Sequence, residues 1–454
     1  MRRAVLFVVF SCLVAASCTA TSAGTATAES PDIILIVSDD QTLNTLQYMP
    51  LTTEWLPTRF ESAFVSMSLC CPSRAAIFSG RYAHDTGVWA NGGPYGGPPP
   101  FAAWDANNTT INEALDQAGY RTGLFGKFIL QWDPNVMPSG WDEVAMRKGG
   151  TPYYNYSLIG VRDGAPFEEA YGEEPADYLT TVLTDKAVRF IGDSPSDEPM
   201  FLFYAPSSPH SAKAEGQVGP TPAPEDLNAQ VELPPFTPNF NEEDVSDKPA
   251  WIQALTPRPE NKMIEWRTNA ARTLLSLDRS VDQILTAQEV RDPGLDNTVV
   301  LFISDNGFAN GTHRLNGKGD AYEESIHVPL LMRAPGLGAT EDGRLVANID
   351  IASTIADAAG VAFDSPDGLS LLSTDSRDFV VLEGGIGTNH AFCGVRTLNA
   401  KYVKYMTGEV EFYNLAKDPY ELRSRPDARR VERLAQMAGG ACSPLPPEWP
   451  RPTL

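Results

Sequence analysis

The 454-residue chain reads as an α/β protein: a large domain with a central, mainly parallel sheet flanked by helices, then a small domain with an antiparallel sheet. Three observations predict this. Apolar runs rich in β-branched and aromatic residues stand at 31–38, 200–205 and 298–304, too continuous to leave one face in water. Segments of helical spacing separate them, the alternation of a layered α/β fold. From about Asp364 the texture changes to short strands at close spacing, which suits a small antiparallel sheet. The length exceeds that at which one core stops growing, so a second domain is expected.

Taken in order, Arg2-Arg3 and the apolar stretch Ala4 to Ser17 read as a signal peptide, too short to span a bilayer comfortably. Cleavage could fall near Ala26-Thr27-Ala28. Alternatively Val14 to Cys18 forms a bacterial lipoprotein box, with a lipid anchor at Cys18 and a tether from Thr19 to Ser30. The expected domains are 1–30 for signal and tether, 31–363 for the large domain and 364–454 for the small one.

The first strand ends in Asp39-Asp40. Cys70-Cys71-Pro72-Ser73-Arg74 opens a helix with Pro72 at its first position, where a missing N–H costs nothing. The Gly- and Pro-rich stretch 91–100 is loop. Thr110 caps a helix over 111–118 that Gly119 stops. A short strand over 121–125 leads to Gly126-Lys127, while 153–175 gives little signal. A helix over 177–191 precedes the 200–205 strand, which opens into Pro209-His210. The Pro-rich, acidic segment 211–259 is an excursion over the surface and a candidate lid. A long helix follows over 264–287, then the 298–304 strand, ending in Asp305-Asn306-Gly307. Four short strands are expected within 379–415, then a helix and a surface strap from Arg430. Cys393 and Cys442 are candidates for a disulfide in an oxidising compartment.

A net charge of −23 argues against nucleic acid or an anionic membrane face as the main partner. Ligands of open α/β sheets bind beyond the carboxyl ends of the strands. Four runs deliver Asp39-Asp40, Lys127, His210 and Asp305-Asn306 there. Acidic groups facing one another call for a cation, and all-oxygen donors favour Ca²⁺ or Mg²⁺ over zinc. The plainer reading makes one pair a helix cap and the other a turn. Cys70, at a helix mouth, meets anions in a favourable field. Otherwise Cys70 and Cys71 are a buried pair or part of a metal site.

The pentad Cys70-Cys71-Pro72-Ser73-Arg74, followed by Ala75 and then Gly80-Arg81, resembles the signature of the type I sulfatases of the alkaline phosphatase superfamily. The likeness extends through Gly119-Tyr120-Arg121-Thr122, Gly126-Lys127, Lys318 to Glu323, Val328-Pro329-Leu330 and Asp418-Pro419. It implies that Cys70 is converted to formylglycine by a formylglycine-generating enzyme, and that the aldehyde hydrate attacks the sulfur of a sulfate ester. Metal ligands implied are Asp39, Asp40, the residue at Cys70, Asp305 and Asn306, around Ca²⁺. The resemblance further makes Arg74, Lys127 and Lys318 sulfate-binding groups and His210 the substrate-facing histidine. His84, His327 and His390 read as structural, and His313, between the metal pair and Lys318, is a candidate to line the cleft. Many members carry a histidine two residues after the first lysine, where this chain has Ile129. That departure, with Tyr153 to Ser157 and Leu274 to Asp278, resembles the branch acting on N-acetylglucosamine 6-sulfate. The implied substrate is a sulfated sugar or an aryl sulfate. Rival readings are a phosphonate or phosphate ester hydrolase of the same superfamily and a catalytically silent, surface-anchored sugar-binding lipoprotein. Export places the protein outside the cell or at its surface.

Overall fold

Strand geometry sends successive side chains to opposite faces. In the strand Asp32–Ser38 this turns Ile33, Leu35 and Val37 to one side and Ile34 and Ile36 to the other, all fully buried. Each such side chain contributes roughly 2 kcal/mol by leaving water. The computed structural model describes residues 30–441 apart from 106–108, 130–135, 151, 215–216, 366, 387, 389 and 426–427. Ten strands form the main sheet, in the order Thr340–Ala347, Thr58–Phe64, Leu330–Arg333, Thr298–Ser304, Asp32–Ser38, Met200–Ala205, Arg121–Gly126, Glu143–Arg147, Tyr156–Arg162 and Ala165–Tyr171. The run from Thr298–Ser304 to Glu143–Arg147 is parallel throughout.

Ile33 and its partners pack against the helices Cys70–Ser79, Ile111–Ala118 and Asp350–Ala359. Ile34 and Ile36 meet Leu179–Asp193 and the 32-residue helix Glu260–Arg291 on the other face. The chain is thus helix, sheet and helix in layers. A second sheet is an antiparallel meander of Val380–Gly384, Phe392–Thr397, Ala400–Tyr405 and Val410–Asn414, covered by the helix Ala428–Ala441.

Three expectations need correction. The stretch 153–175 holds an antiparallel hairpin, Tyr156–Arg162 with Ala165–Tyr171, at the sheet edge. Its Asp163-Gly164 turn has both residues at positive φ, 52° and 72°, the primed turn that suits strand twist. Residues 91–100 are not all loop, because Pro98 begins the short helix Pro98–Trp104. Pro72 is the third residue of its helix, still in the turn whose N–H groups lack intrahelical acceptors. Cys393 is disulfide-bonded; Cys442, the signal segment, Cys18 and the strap lie outside the described residues. No helix among the described residues is long and apolar enough to cross a membrane.

Candidate active site

Backbone pairing continues past the parallel strands and brings their ends level. The Asp305 N–H donates to the Ser38 carbonyl, the Asp39 N–H to Ser208 and the Lys127 N–H to Ala205, at 3.0, 3.0 and 2.8 Å. Asp40 lies in the left-handed region, φ 67°, which Asp tolerates better than most residues. Consecutive carboxylates therefore face one place instead of opposite sides of a strand. Asp39, Asp40, Asp305 and Asn306 are all at most 2% exposed.

Cys70 begins its helix above them, Sγ 3.9 Å from Asp39 Oδ1. Arg74, one turn on, donates from Nε to Asp305 Oδ2 at 2.8 Å and from Nη1 to the Lys127 carbonyl at 2.5 Å. Its Nη2 is buried without a hydrogen-bond partner among the described residues, 3.9 Å from Asp39. Lys127 Nζ lies 2.7 Å from Asp39 Oδ2. Lys318 Nζ contacts Asp40 Oδ1 and Cys70 Sγ, the latter at 2.7 Å, with Asn306 Oδ1 at 3.4 Å and Asp39 Oδ1 at 4.0 Å. His210 Nδ1 is 2.8 Å from the Ser211 carbonyl. Since a carbonyl only accepts, Nδ1 carries the proton and Nε2 is presented 3.7 Å from Asp40 Oδ2. The structure thus brings together Asp39, Asp40, Cys70, Arg74, Lys127, His210, Asp305, Asn306 and Lys318.

The electrostatics follow from burial. Burial alone raises the Asp39 carboxyl, yet Lys127, His210, Lys318 and Arg74 together hold it below the usual carboxylate range. Burial, aided by repulsion from Asp39, pushes Asp305 up. Burial also raises the Cys70 thiol, against the pull of Lys127 and Lys318. Burial works to discharge Lys318, but Asp40, Cys70 and Asp39 hold its ammonium well above the ordinary value.

The residues fit a hard cation. Their donors are carboxylate and carboxamide oxygens, and the Lys318 ammonium already stands where Asp40, Asn306, Asp39 and Cys70 converge, a positive charge in a centre built for one. Asp39, Asp40, Cys70 and His210 offer ligand atoms within 4.8 Å of one another. Asp305 instead turns one oxygen to the Asp40 N–H at 3.2 Å and the other to Arg74.

Other sequence candidates lie elsewhere. The Cys71 thiol turns to the Asn91 carbonyl at 3.9 Å. Ile129 is buried in the apolar core under the Cys70 helix. His84 pairs with Glu383 at 2.7 Å, His390 stacks on Trp251 and His327 on Phe64. His313 does not line the cleft: it is fully buried, 2.6 Å from Glu242 and stacked on Tyr322.

A cavity of about 440 Å³ opens from Asp40, walled by Tyr48, Phe236, Trp266, Arg267 and Phe308 among others. None of these five was evident in the sequence. Phe308 follows Asp305-Asn306-Gly307 directly, which could have flagged it; Trp266 and Arg267 lie on the long helix before its apolar stripe begins. Arg147, which donates to Ser207 Oγ at 2.6 Å near His210, was missed as well.

The family model described as Sulfatase matches residues 31–361. The chain is 30% identical to the N-acetylglucosamine-6-sulfatase of Capra hircus over 90% of its length and 82% of the relative's. It is also 30% identical to the arylsulfatase of Volvox carteri, over 73% of this chain and 56% of that one. Its fold is similar to a protein solved in complex with its substrate D-glucosamine-2-N,6-O-disulfate, with TM-score 0.73, 22% identity and 91% and 97% of the two chains covered. The phosphonate monoester hydrolase of Agrobacterium radiobacter is another structural neighbour, at TM-score 0.68 and 21% identity over 91% and 95%. With a strand-end site of this construction and a family match across most of the chain, the protein belongs to the sulfatase family and is a sulfuric ester hydrolase.

Proposed function

We propose that this sulfatase removes sulfate from sugars of the N-acetylglucosamine 6-sulfate kind, with the residue at position 70 as nucleophile after conversion to formylglycine. The observation that carries the reading is the convergence of Cys70, three carboxylates and three side-chain cations behind Asp40, which lines a cavity with aromatic walls. The names of relatives spanned over more than four fifths of their length support the sugar.

Unmodified, Cys70 is buried with its thiol pK raised, and a thiol held protonated is a weak nucleophile. The converted residue supplies a geminal diol, one oxygen to attack sulfur and a second through which sulfate can leave. Asp39, Asp40, Asp305 and Asn306 would hold Ca²⁺, or Mg²⁺ in its place, whose chemistry is to polarise that diol and orient it. Lys127, Lys318 and Arg74 take the charge that develops on the sulfate oxygens, Arg74 through the Nη2 that has no hydrogen-bond partner among the described residues. His210, its Nδ1 proton fixed on Ser211, acts in its imidazolium form, passing the Nε2 proton to the leaving sugar oxygen and keeping the one on Nδ1. Export, and maturation by a formylglycine-generating enzyme, belong to the same reading, with release or lipid anchoring at Cys18 as its two end points.

Conversion is tested by the mass of the peptide containing Cys70, which should fall by one sulfur and two hydrogens and gain one oxygen. Cys70→Ser should accumulate a sulfate ester on the protein without turnover, because serine lacks the second hydroxyl. Steady turnover by that variant would overturn the mechanism. Faster hydrolysis of an aryl phosphonate than of the matching aryl sulfate would favour the phosphonate reading.

A further inference from the structure

Trp266 and Arg267 are neighbours on the Glu260–Arg291 helix, and both line the cavity that ends at Asp40. Trp266 stacks on Phe308 with ring centroids 4.6 Å apart and planes at 11°. Its indole N–H donates to Ser211 Oγ at 3.1 Å, and the same Ser211 fixes His210. The aromatic wall is therefore tied both to the His210 turn and to the loop that follows Asp305-Asn306.

Arg267 reaches the segment 233–237 instead. Its Nη2 donates to the Pro234 carbonyl at 2.5 Å, and its guanidinium lies 4.5 Å over the Phe236 ring. Carbonyl and ring hold the fork in place, yet only one of its five N–H groups has a hydrogen-bond acceptor among the described residues. No described carboxylate lies within 4.0 Å of it, in a chain with 58 acidic residues against 35 basic ones. The other charged cavity groups have partners: Arg59 with Glu61, Glu323 with Arg396, Asp40 with Lys318, and Glu324 through one oxygen with the Asn239 amide. A preorganised, partly desolvated guanidinium with free donors suits a tetrahedral or planar oxyanion.

We propose that Arg267, beside the Trp266 platform, forms a subsite for a second anionic group, so that the preferred substrate is a saccharide bearing another sulfate or a carboxylate besides the sulfate removed. This rests on the saccharide reading above. Sulfate and carboxylate share the chemistry the fork recognises, and the test separates them.

Inhibition of aryl sulfate hydrolysis would be measured with glucosamine 6-sulfate, with glucosamine N,6-disulfate and with glucosamine 6-sulfate linked to a uronic acid, each also assayed for sulfate release. Wild-type enzyme should favour one doubly anionic sugar over glucosamine 6-sulfate. Arg267→Gln should cut that preference roughly thirty-fold, the size of one charged hydrogen-bonded contact, with Arg267→Lys restoring part of it. Which sugar loses its advantage identifies the second anion. No preference in the wild type, a preference untouched by Arg267→Gln, or an equal loss for all three sugars would overturn the proposal. Binding preferences that behave as expected without sulfate release from any sugar would overturn the saccharide reading alone, because inhibition reads the subsite whether or not the sugar is cleaved.

Discussion

Two of the buried charge groups among the described residues meet burial in different ways. Around Cys70, positive charge arrives on the tips of long side chains, and Arg74 keeps Nη2 without a hydrogen-bond partner among the described residues. Beneath the small sheet, Arg396 grips Glu323 with bonds of 3.0 and 2.9 Å, and Lys401 reaches Glu323, Glu421 and the Ala321 carbonyl. Glu411 accepts from the hydroxyls of Tyr322 and Tyr405 at 2.8 and 2.6 Å, and from Tyr413. Arg396, Lys401, Tyr405, Glu411 and Tyr413 come from the small sheet, while Ala321, Tyr322 and Glu323 follow Lys318. The second group is a clasp that holds the lysine segment to the domain. His313, Glu324 and Glu421 there also offer ligand atoms within 4.8 Å of one another. Glu242, Asn239 and Lys401 already engage them. Counting acids does not separate a receptor from a clasp.

The largest break in this comparison is expected from Asp39→Asn. Losing that charge should lower kcat/KM for an aryl sulfate by at least about a thousand-fold. It should also remove the calcium-dependent rise in Tm after chelation, worth about 2.7 kcal/mol in the wild type at a hundred-fold excess over Kd. Calorimetry with and without calcium reads the second effect independently of turnover, and an undiminished calcium shift would disqualify Asp39 as a ligand.

On the clasp side, Lys401→Met strands Glu421, Glu323 keeping Arg396, and should destabilise the fold by about 3–5 kcal/mol. The calcium shift should survive in this variant, since Lys401 serves the other group. Denaturant titration checks it, and a midpoint equal to the wild type's would mean the clasp is ornamental.

The smallest effect concerns acid. Burial lowers the His313 imidazole from 6.5 to about 3, so between these values the unfolded chain binds a proton that the folded chain refuses. Stability should therefore fall as pH drops through that window, by about 1.4 kcal/mol for each pH unit. His313→Gln should flatten the slope, and an unchanged pH dependence of ΔG would assign acid sensitivity elsewhere.

How much of this was legible depended on the range of the interactions. Asp39-Asp40 and Asp305-Asn306 could be read because each ends a strand whose apolar run is local. Thr110 and Gly119 announced their helix for the same reason, and the structure shows the capping box with Glu113 and a left-handed Gly119. The hairpin at 156–171 was missed because its outer strand has no buried residue and the adjacent Glu168-Glu169 break any apolar alternation at a solvated edge, although Asp163-Gly164 marked the turn. Trp266, Arg267 and the Glu411 clasp were illegible for another reason: their partners lie far away in sequence, and nothing near Lys401 says that it will reach Ala321.

The left-handed backbone at Asp40 carries one more consequence. Two neighbouring acids on an extended strand would point apart, and no choice of rotamer would make them neighbours in space. What turns a pair of letters into a pincer is handedness at a single α-carbon, at a cost of about 1–2 kcal/mol. A designer moving this pincer to another sheet would have to copy that twist before copying either carboxylate. Asn at position 40 would keep the shape and lose a charge, whereas a β-branched residue would lose the shape itself.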